Sequence, residues 1–214
     1  LDQDGRKELL VGWRVNTDLL ALSVYTLRSG EPEELVQGTS YVKYAVNDLN
    51  QDGLWELVVL RADEEGNGIA DYYCWQEEEF QLRTSARITS TMAELNQGSV
   101  ITGKLDQDTP AVFITGINSQ GIAVTDILVW QEDAGLVNAA LDRSTGLSTA
   151  TAPYRQLTPQ DINGDGIYWL NTIGLNGHFY RLLPYLITLI VLAFTSKSSR
   201  APKAEGIPYD KGTR

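Results

Sequence analysis

Residues 48–57 read Asp48-Leu49-Asn50-Gln51-Asp52-Gly53-Leu54-Trp55-Glu56-Leu57. Oxygen-bearing side chains stand at alternate positions, a glycine follows, and an acid then precedes an apolar run. Alternating oxygen ligands around a glycine turn let a short loop wrap a hard cation such as Ca²⁺, which takes about six to eight oxygen ligands. The motif therefore predicts a cation-binding turn between two extended segments.

The motif recurs along the chain. Near-copies begin at Leu1, Lys104 and Asp161, and the central aspartates of the four copies are Asp4, Asp52, Asp108 and Asp165. The successive intervals are 48, 56 and 57 residues. Self-similarity at a period of roughly 20–50 residues is typical of solenoids, propellers and arrays. A unit of this length has room for several short strands.

An aromatic residue keeps the same phase as the motif. Tyr25, Trp75 and Trp130 lie 21, 23 and 22 residues after the central aspartate of their units. Each of them closes an apolar run. An aromatic at a nearly constant offset predicts a repeated core position.

Short β-rich runs alternate with turns that contain Gly, Asn and Asp. The predicted strands are 41–46, 57–61, 69–75 and 80–83 in the second unit, and 99–103, 111–115, 122–130 and 136–139 in the third. No long apolar pattern with a period of 3.6 residues occurs before residue 170. The pattern therefore predicts an all-β fold.

The loop, set between two strands, resembles the FG-GAP/VCBS class of β-propeller repeats, a type also found in integrin α-subunits. The resemblance covers about residues 1–170 and implies a partial propeller of about three to four blades, in which the loop joins the first two strands of a blade. A closed propeller typically has about four to eight blades, so an open array is the alternative. Because the chain opens inside a repeat, we expect further N-terminal sequence with more blades and an export signal, such as that of a lipoprotein.

The resemblance also implies structural Ca²⁺ bound at loop positions 1, 3, 5, 7 (a backbone carbonyl) and 9. In the second copy these are Asp48, Asn50, Asp52, the Leu54 carbonyl and Glu56. The first copy offers Asp2, Asp4, the Arg6 carbonyl and Glu8. The fourth offers Asp161, Asn163 and Asp165, with Trp169 at position 9.

The third copy departs from this pattern. It keeps Asp106 and Asp108, but it has Lys104 at position 1, Thr109 in place of the glycine and Val112 at position 9. A lysine ammonium repels a bound cation, so we expect this copy to bind none.

An EF-hand or dockerin loop is the competing interpretation of the motif. An EF-hand needs a bidentate Glu at position 12 and flanking helices, whereas position 12 of the second copy is Val59, inside a strand-like run. Dockerin repeats also lie closer together. The propeller-type loop is favoured, and an acidic turn that binds no ion remains the third interpretation.

Charge and cysteine content limit the partners and the compartment. The net charge of the chain is −11, and residues 1–170 carry 26 acidic against 11 basic residues. Nucleic-acid binding needs a basic patch, so we expect no nucleic-acid partner. Cys74 is the only cysteine, which excludes an internal disulfide. Weak oxygen loops suit millimolar Ca²⁺, so an extracellular or cell-envelope location is expected.

Residues 171–214 break the repeat. An apolar segment, 182–194, is followed by a basic end, which we expect to be poorly ordered beyond Ser196. Three interpretations stay open: a tail foreign to the fold, such as a frame-shift product, a membrane anchor with a positive flank, or an element of the domain.

Residues suited to catalysis are scarce. His178 is the only histidine and lies in the atypical tail, so no Ser/His/Asp or Cys/His set can be assembled in the repeats. We expect a non-enzymatic, calcium-stabilised scaffold that binds protein or carbohydrate. The alternatives are an accessory or catalytic domain of a polysaccharide-acting enzyme and the ectodomain of a membrane-anchored sensor.

Overall fold

The computed structural model describes residues 1, 5–17, 19–77, 79–91, 98–141, 158–171 and 177–196. The chain divides into two compact units, Leu1–Gly174 and Leu175–Arg214. The second copy of the loop lies in the first unit, which consists of antiparallel sheets.

The strands of the first unit follow one another in chain order. Sheet 1 contains β1 (Leu9–Arg14), β2 (Leu20–Arg28) and β3 (Glu31–Tyr41). Sheet 2 contains β4 (Lys43–Asn47), β5 (Glu56–Ala62), β6 (Gly68–Gln76) and β7 (Glu79–Ile88). Sheet 3 contains β8 (Ser99–Lys104), β9 (Pro110–Ile117), β10 (Ala123–Gln131) and β11 (Gly135–Asn138). Sheet 4 contains β12 (Thr158–Gln160) and β13 (Trp169–Asn171).

Every paired strand of a sheet is antiparallel to its neighbour. Each sheet is therefore a meander built from local hairpins. The all-β prediction is confirmed for the described residues of this unit. In sheets 2 and 3 the strands match the predicted runs, with ends that differ by a few residues at most places and by five at the end of β7.

Sheets 1, 2 and 3 are layered because the central strands are apolar on both faces. In β5, Leu57 and Val59 pack into a core shared with sheet 1, whereas Val58 and Leu60 pack into a core shared with sheet 3. All four side chains are fully buried. Burial of one such side chain contributes roughly 1.5–3 kcal/mol. A third core joins sheet 3 to sheet 4 through residues that include Phe113.

The three aromatic residues that follow the central aspartates at a nearly constant distance, Tyr25, Trp75 and Trp130, lie on β2, β6 and β10. Trp75 packs against the core between sheets 1 and 2, and Trp130 packs against the core between sheets 2 and 3. The hydroxyl of Tyr25 instead donates a 3.0 Å hydrogen bond to Glu34.

A buried acid links the end of sheet 2 to sheet 3. The carboxylate of Asp126, which is fully buried in β10, accepts hydrogen bonds from the backbone amides of Thr89 (2.9 Å) and Ser90 (3.0 Å). The Asn138 side-chain amide donates a further bond of 2.8 Å. These bonds satisfy backbone groups where the chain leaves β7, so the network stabilises the connection between the two sheets.

The second unit contains one helix in its described part, α1 (Gly177–Ser196), which includes the whole apolar segment 182–194. Pro184 lies inside the helix, where its ring removes one backbone donor. The Thr188 hydroxyl donates a 2.8 Å hydrogen bond to the Pro184 carbonyl. No helix in the described part of the chain combines the length and apolar character that a membrane crossing requires. The basic end beyond Ser196 lies outside the described residues.

Candidate metal centre

The loop of residues 48–55 joins β4 to β5 and is closed by the antiparallel pair Asn47 and Glu56. Short polar side chains hold its backbone. The carboxylate of Asp48 accepts a hydrogen bond from the Gly53 amide (3.2 Å), and that of Asp52 accepts one from the Leu54 amide (2.7 Å). Gly53 has a φ of 87°, a conformation that glycine adopts at no steric cost.

The loop brings three acids together. Asp48, Asp52 and Glu56 each offer a carboxylate oxygen, and these oxygens all lie within 4.8 Å of one another. It is the only group of three or more metal-ligating His, Cys, Asp or Glu side chains among the described residues. Three negative charges at this separation repel each other, so the arrangement favours a bound cation.

Glu56 is the buried member of the group, with no exposed surface. Its Oε2 accepts a 2.8 Å hydrogen bond from the Leu49 amide. Its Oε1 and the Oδ1 of Asp48 are buried and have no hydrogen-bond partner. A buried polar atom without a partner costs roughly 1–3 kcal/mol. A cation bound between these two oxygens would remove that cost.

The pKa of Glu56 is raised from 4.5 to about 7. Burial is the main cause, and the charges of Asp52 and Asp48 add to it. The hydrogen bond from Leu49 and the nearby hydroxyl of Tyr72 act in the opposite direction. The folded protein therefore resists ionisation of Glu56 unless a positive charge is supplied.

Tyr72 is a neighbour of this site that sequence reasoning missed. It is fully buried on β6, and its ring stacks on Trp130 with centroids 4.7 Å apart. Its hydroxyl influences the pKa of Glu56 but has no partner in hydrogen-bonding geometry. The proximity depends on the pairing of Val58 with Tyr72, which no local pattern in the sequence specifies.

The first copy repeats the geometry of the second where the structure describes it. The backbone nitrogen of Leu1 donates a 2.5 Å hydrogen bond to Oε2 of Glu8, as the Leu49 amide does to Glu56. The Oε1 of Glu8 is buried without a partner, as in Glu56. Arg6 donates from its side chain to the Leu27 carbonyl (2.6 Å). Asp2 and Asp4 lie outside the described residues.

The third copy forms a shorter loop than the sequence alignment suggests. Five residues, 105–109, separate β8 from β9, whereas eight, 48–55, separate β4 from β5. Val112, aligned with Glu56 by sequence, instead packs into the core between sheets 2 and 3. The amide of Asp108 donates to Asp106 (2.9 Å), and this bond is the main reason that the pKa of Asp106 lies below its usual value.

In the fourth copy, backbone amides of the loop donate hydrogen bonds to the first acidic residue, Asp161. The carboxylate of Asp161 accepts hydrogen bonds from the amides of Gly164 (2.5 Å), Asp165 (3.2 Å) and Gly166 (3.2 Å). Asn163 and Asp165 are exposed in the same loop. Trp169 pairs with Gln160 as Glu56 pairs with Asn47, and it is 56% exposed. This loop therefore contains two carboxylates, those of Asp161 and Asp165, and has no buried acid equivalent to Glu56.

Cys74 and His178 are the remaining residues of chemical interest. Cys74 is buried, and burial is the main cause of its raised thiol pKa. A buried thiol of this kind is a poor nucleophile. His178 lies in α1, but its side chain is outside the described part of the chain.

Comparison with known proteins finds no matching family model, no matching curated protein and no matching solved structure. The interpretation of the site therefore depends on its own geometry.

Proposed function

We propose that this chain is a non-enzymatic scaffold of β-propeller type, stabilised by Ca²⁺ at the loop of residues 48–56. The observation that carries the proposal is the pair of buried, unpartnered oxygens, Glu56 Oε1 and Asp48 Oδ1. Asp48, Asp52 and Glu56 form a cluster in which one carboxylate oxygen of each residue lies within 4.8 Å of the others. These residues would hold the ion and fix the turn between β4 and β5.

The donor set favours calcium over softer metals. The loop contains neither His nor Cys, and carboxylate, amide and carbonyl oxygens suit Ca²⁺ and Mg²⁺. Mg²⁺ demands a near-ideal octahedron and gives up its water reluctantly. Asp48, Asn50, Asp52, the Leu54 carbonyl and Glu56 are the proposed ligands, and the irregular spacing of a loop is better tolerated by Ca²⁺.

The architecture supports a binding rather than a catalytic role. Antiparallel meanders stacked through apolar cores resemble blades of a propeller, and such frames present loops for recognition. A groove of about 430 Å³ lies beside the loop, lined by residues that include Asp48, Gln51 and Lys104. We propose a protein or carbohydrate ligand and an extracellular or cell-envelope location, where millimolar Ca²⁺ would fill the site.

Calorimetric titration and thermal unfolding of the full chain test the ion site. We expect binding of Ca²⁺ and a rise in melting temperature of roughly 5–10 °C at a Ca²⁺ concentration of about one hundred times the dissociation constant. Asp52→Ala should abolish the rise. Its loss of melting temperature in chelator, where hydrogen bonds such as that from the Leu54 amide are removed, should be smaller than its loss in Ca²⁺. Asp108→Ala, which changes the corresponding aspartate of the third copy, is the matched control and should behave as wild type.

Two results would contradict the ion site. One is a folded wild-type chain whose melting temperature is the same in Ca²⁺ and in chelator. The other is an equal loss of stability by Asp52→Ala in both conditions, because that loss would assign Asp52 a role in the turn alone.

A further inference from the structure

Tyr72 is a fully buried neighbour of Glu56, one of the proposed ligands. Tyr72 faces the carboxyl of Glu56 from the neighbouring strand β6. The pairing of Val58 with Tyr72 makes Glu56 and Tyr72 diagonal neighbours across two strands, a separation that an aromatic side chain can bridge. Two buried groups without partners, a hydroxyl and a carboxylate oxygen, therefore lie side by side.

Their chemistry is complementary once Glu56 is charged. A carboxylate has about four acceptor positions on its two oxygens. The Leu49 amide occupies one of them on Oε2, which leaves acceptor positions for a cation and for one further donor. A tyrosine hydroxyl can act as that donor, and hydrogen bonds to a charged acceptor are the stronger ones.

The Tyr72 ring is held in place independently of the ion. It has no exposed surface and stacks on Trp130 with an interplanar angle of 24°. The ring is consequently held beside Glu56 before any ion arrives. Groups that orient a metal ligand in this way typically change metal affinity by about 10–100-fold when they are removed.

From this geometry we infer that Tyr72 is a positioning residue of the ion site, whose hydroxyl donates to the Glu56 carboxylate and holds it in the orientation that binds Ca²⁺. The inference rests on the proposed ion site. It assigns to Tyr72 a role in ion affinity that its place in the hydrophobic core does not require.

Tyr72→Phe removes the hydroxyl and keeps the ring. Tyr73→Phe is the matched control, because Tyr73 packs on the opposite face of sheet 2, where its hydroxyl lies 3.5 Å from Thr39. Calorimetric titration of the full chain with CaCl₂ should show about a tenfold or greater loss of affinity for Tyr72→Phe. Tyr73→Phe should retain the wild-type affinity, and both variants should melt alike in chelator.

Wild-type affinity in Tyr72→Phe, in a protein whose wild-type form binds Ca²⁺, would overturn this inference alone. Absence of Ca²⁺ binding by wild type would overturn the ion site and the inference with it. If Tyr72→Phe also melts earlier in chelator, the decisive quantity is the rise in melting temperature on adding Ca²⁺. A rise smaller than that of wild type supports the role of Tyr72, and an equal rise refutes it.

Discussion

The side-chain amide of Gln51 donates a 2.6 Å hydrogen bond to the backbone carbonyl of Asp108. This bond joins the loop of sheet 2 to the shorter loop of sheet 3. Gln51 has a φ of 61°, in the left-handed region, which costs a residue with a Cβ about 1–2 kcal/mol. The contact between the loops is therefore made by a residue with an unfavourable backbone conformation.

Two substitutions at Gln51 separate the contact from the backbone conformation. Gln51→Ala loses the hydrogen bond and keeps the left-handed backbone, whereas Gln51→Gly loses the bond and relieves the strain. We expect Gln51→Ala to be less stable than Gln51→Gly by about 1 kcal/mol. Urea unfolding of both variants measures the difference, and equal stability would show that the loop relaxes away from the left-handed conformation.

The raised pKa of Glu56 predicts how stability depends on pH when no Ca²⁺ is bound. A carboxyl whose folded pKa is raised favours the folded state while it is protonated. The stabilisation is present below pH 4.5, the ordinary pKa of the group, and it is lost as the pH rises to about 7. The free energy of unfolding in chelator should therefore fall across this range.

Glu56→Gln is the matched variant for this dependence. It keeps the shape of the side chain but cannot ionise. Its free energy of unfolding in chelator should therefore fall less than that of wild type between pH 4.5 and about pH 7, the ordinary and the raised pKa of Glu56. Urea unfolding at several pH values gives both curves. Parallel curves for wild type and Glu56→Gln would assign the pH dependence to other groups.

The buried carboxylate of Asp126 should be essential for stability. Asp126→Ala leaves the amides of Thr89 and Ser90, which now donate to the carboxylate, buried without a partner. Leaving a buried donor without a partner typically costs about 1–3 kcal/mol for each group. Urea unfolding measures the loss. Asp133→Ala, at an exposed position in the turn before β11, should change stability by less than about 0.5 kcal/mol.

Two nearby glycines should respond differently to alanine. A Cβ at Gly68 would lie 2.3 Å from the Ser90 carbonyl oxygen, whereas a Cβ at Gly66 meets no atom within 4 Å. Gly66 has a φ of 84°, so Gly66→Ala should cost about 1 kcal/mol through the backbone alone. Gly68→Ala should cost up to about 3 kcal/mol through overpacking. Thermal unfolding compares the two, and a larger loss for Gly66→Ala would contradict the packing at Gly68.

The strands and the second loop could be predicted because their determinants are local. Hairpin turns and β-rich runs alternate over short distances, and the ligand pattern of 48–56 lies within one turn. The third loop could not be aligned correctly from the sequence. It is three residues shorter than the second loop, and this difference determines the face of sheet 3 on which Val112 packs. That difference becomes visible only when the strands are paired.

The buried polar groups also escaped prediction. Tyr72 lies 16 residues beyond Glu56 in the sequence, and Asp126 receives its hydrogen bonds from residues 36 and 37 positions earlier. Such contacts depend on register and on the packing of one sheet against the next. Whether the apolar segment 182–194 forms a helix could not be predicted, because a short apolar run by itself does not distinguish a helix from a strand.

The loops of eight and five residues join equivalent strands of sheets 2 and 3 without altering the antiparallel pairing that flanks them. The length and the residues of this loop can therefore change without a change in the pairing of the strands that it joins. Replacing residues 105–109 by the sequence of 48–55 would add a turn to an existing hairpin and leave its strands in register. A repeat built in this way can gain or lose the proposed ion-binding loop while its hydrophobic layers stay the same.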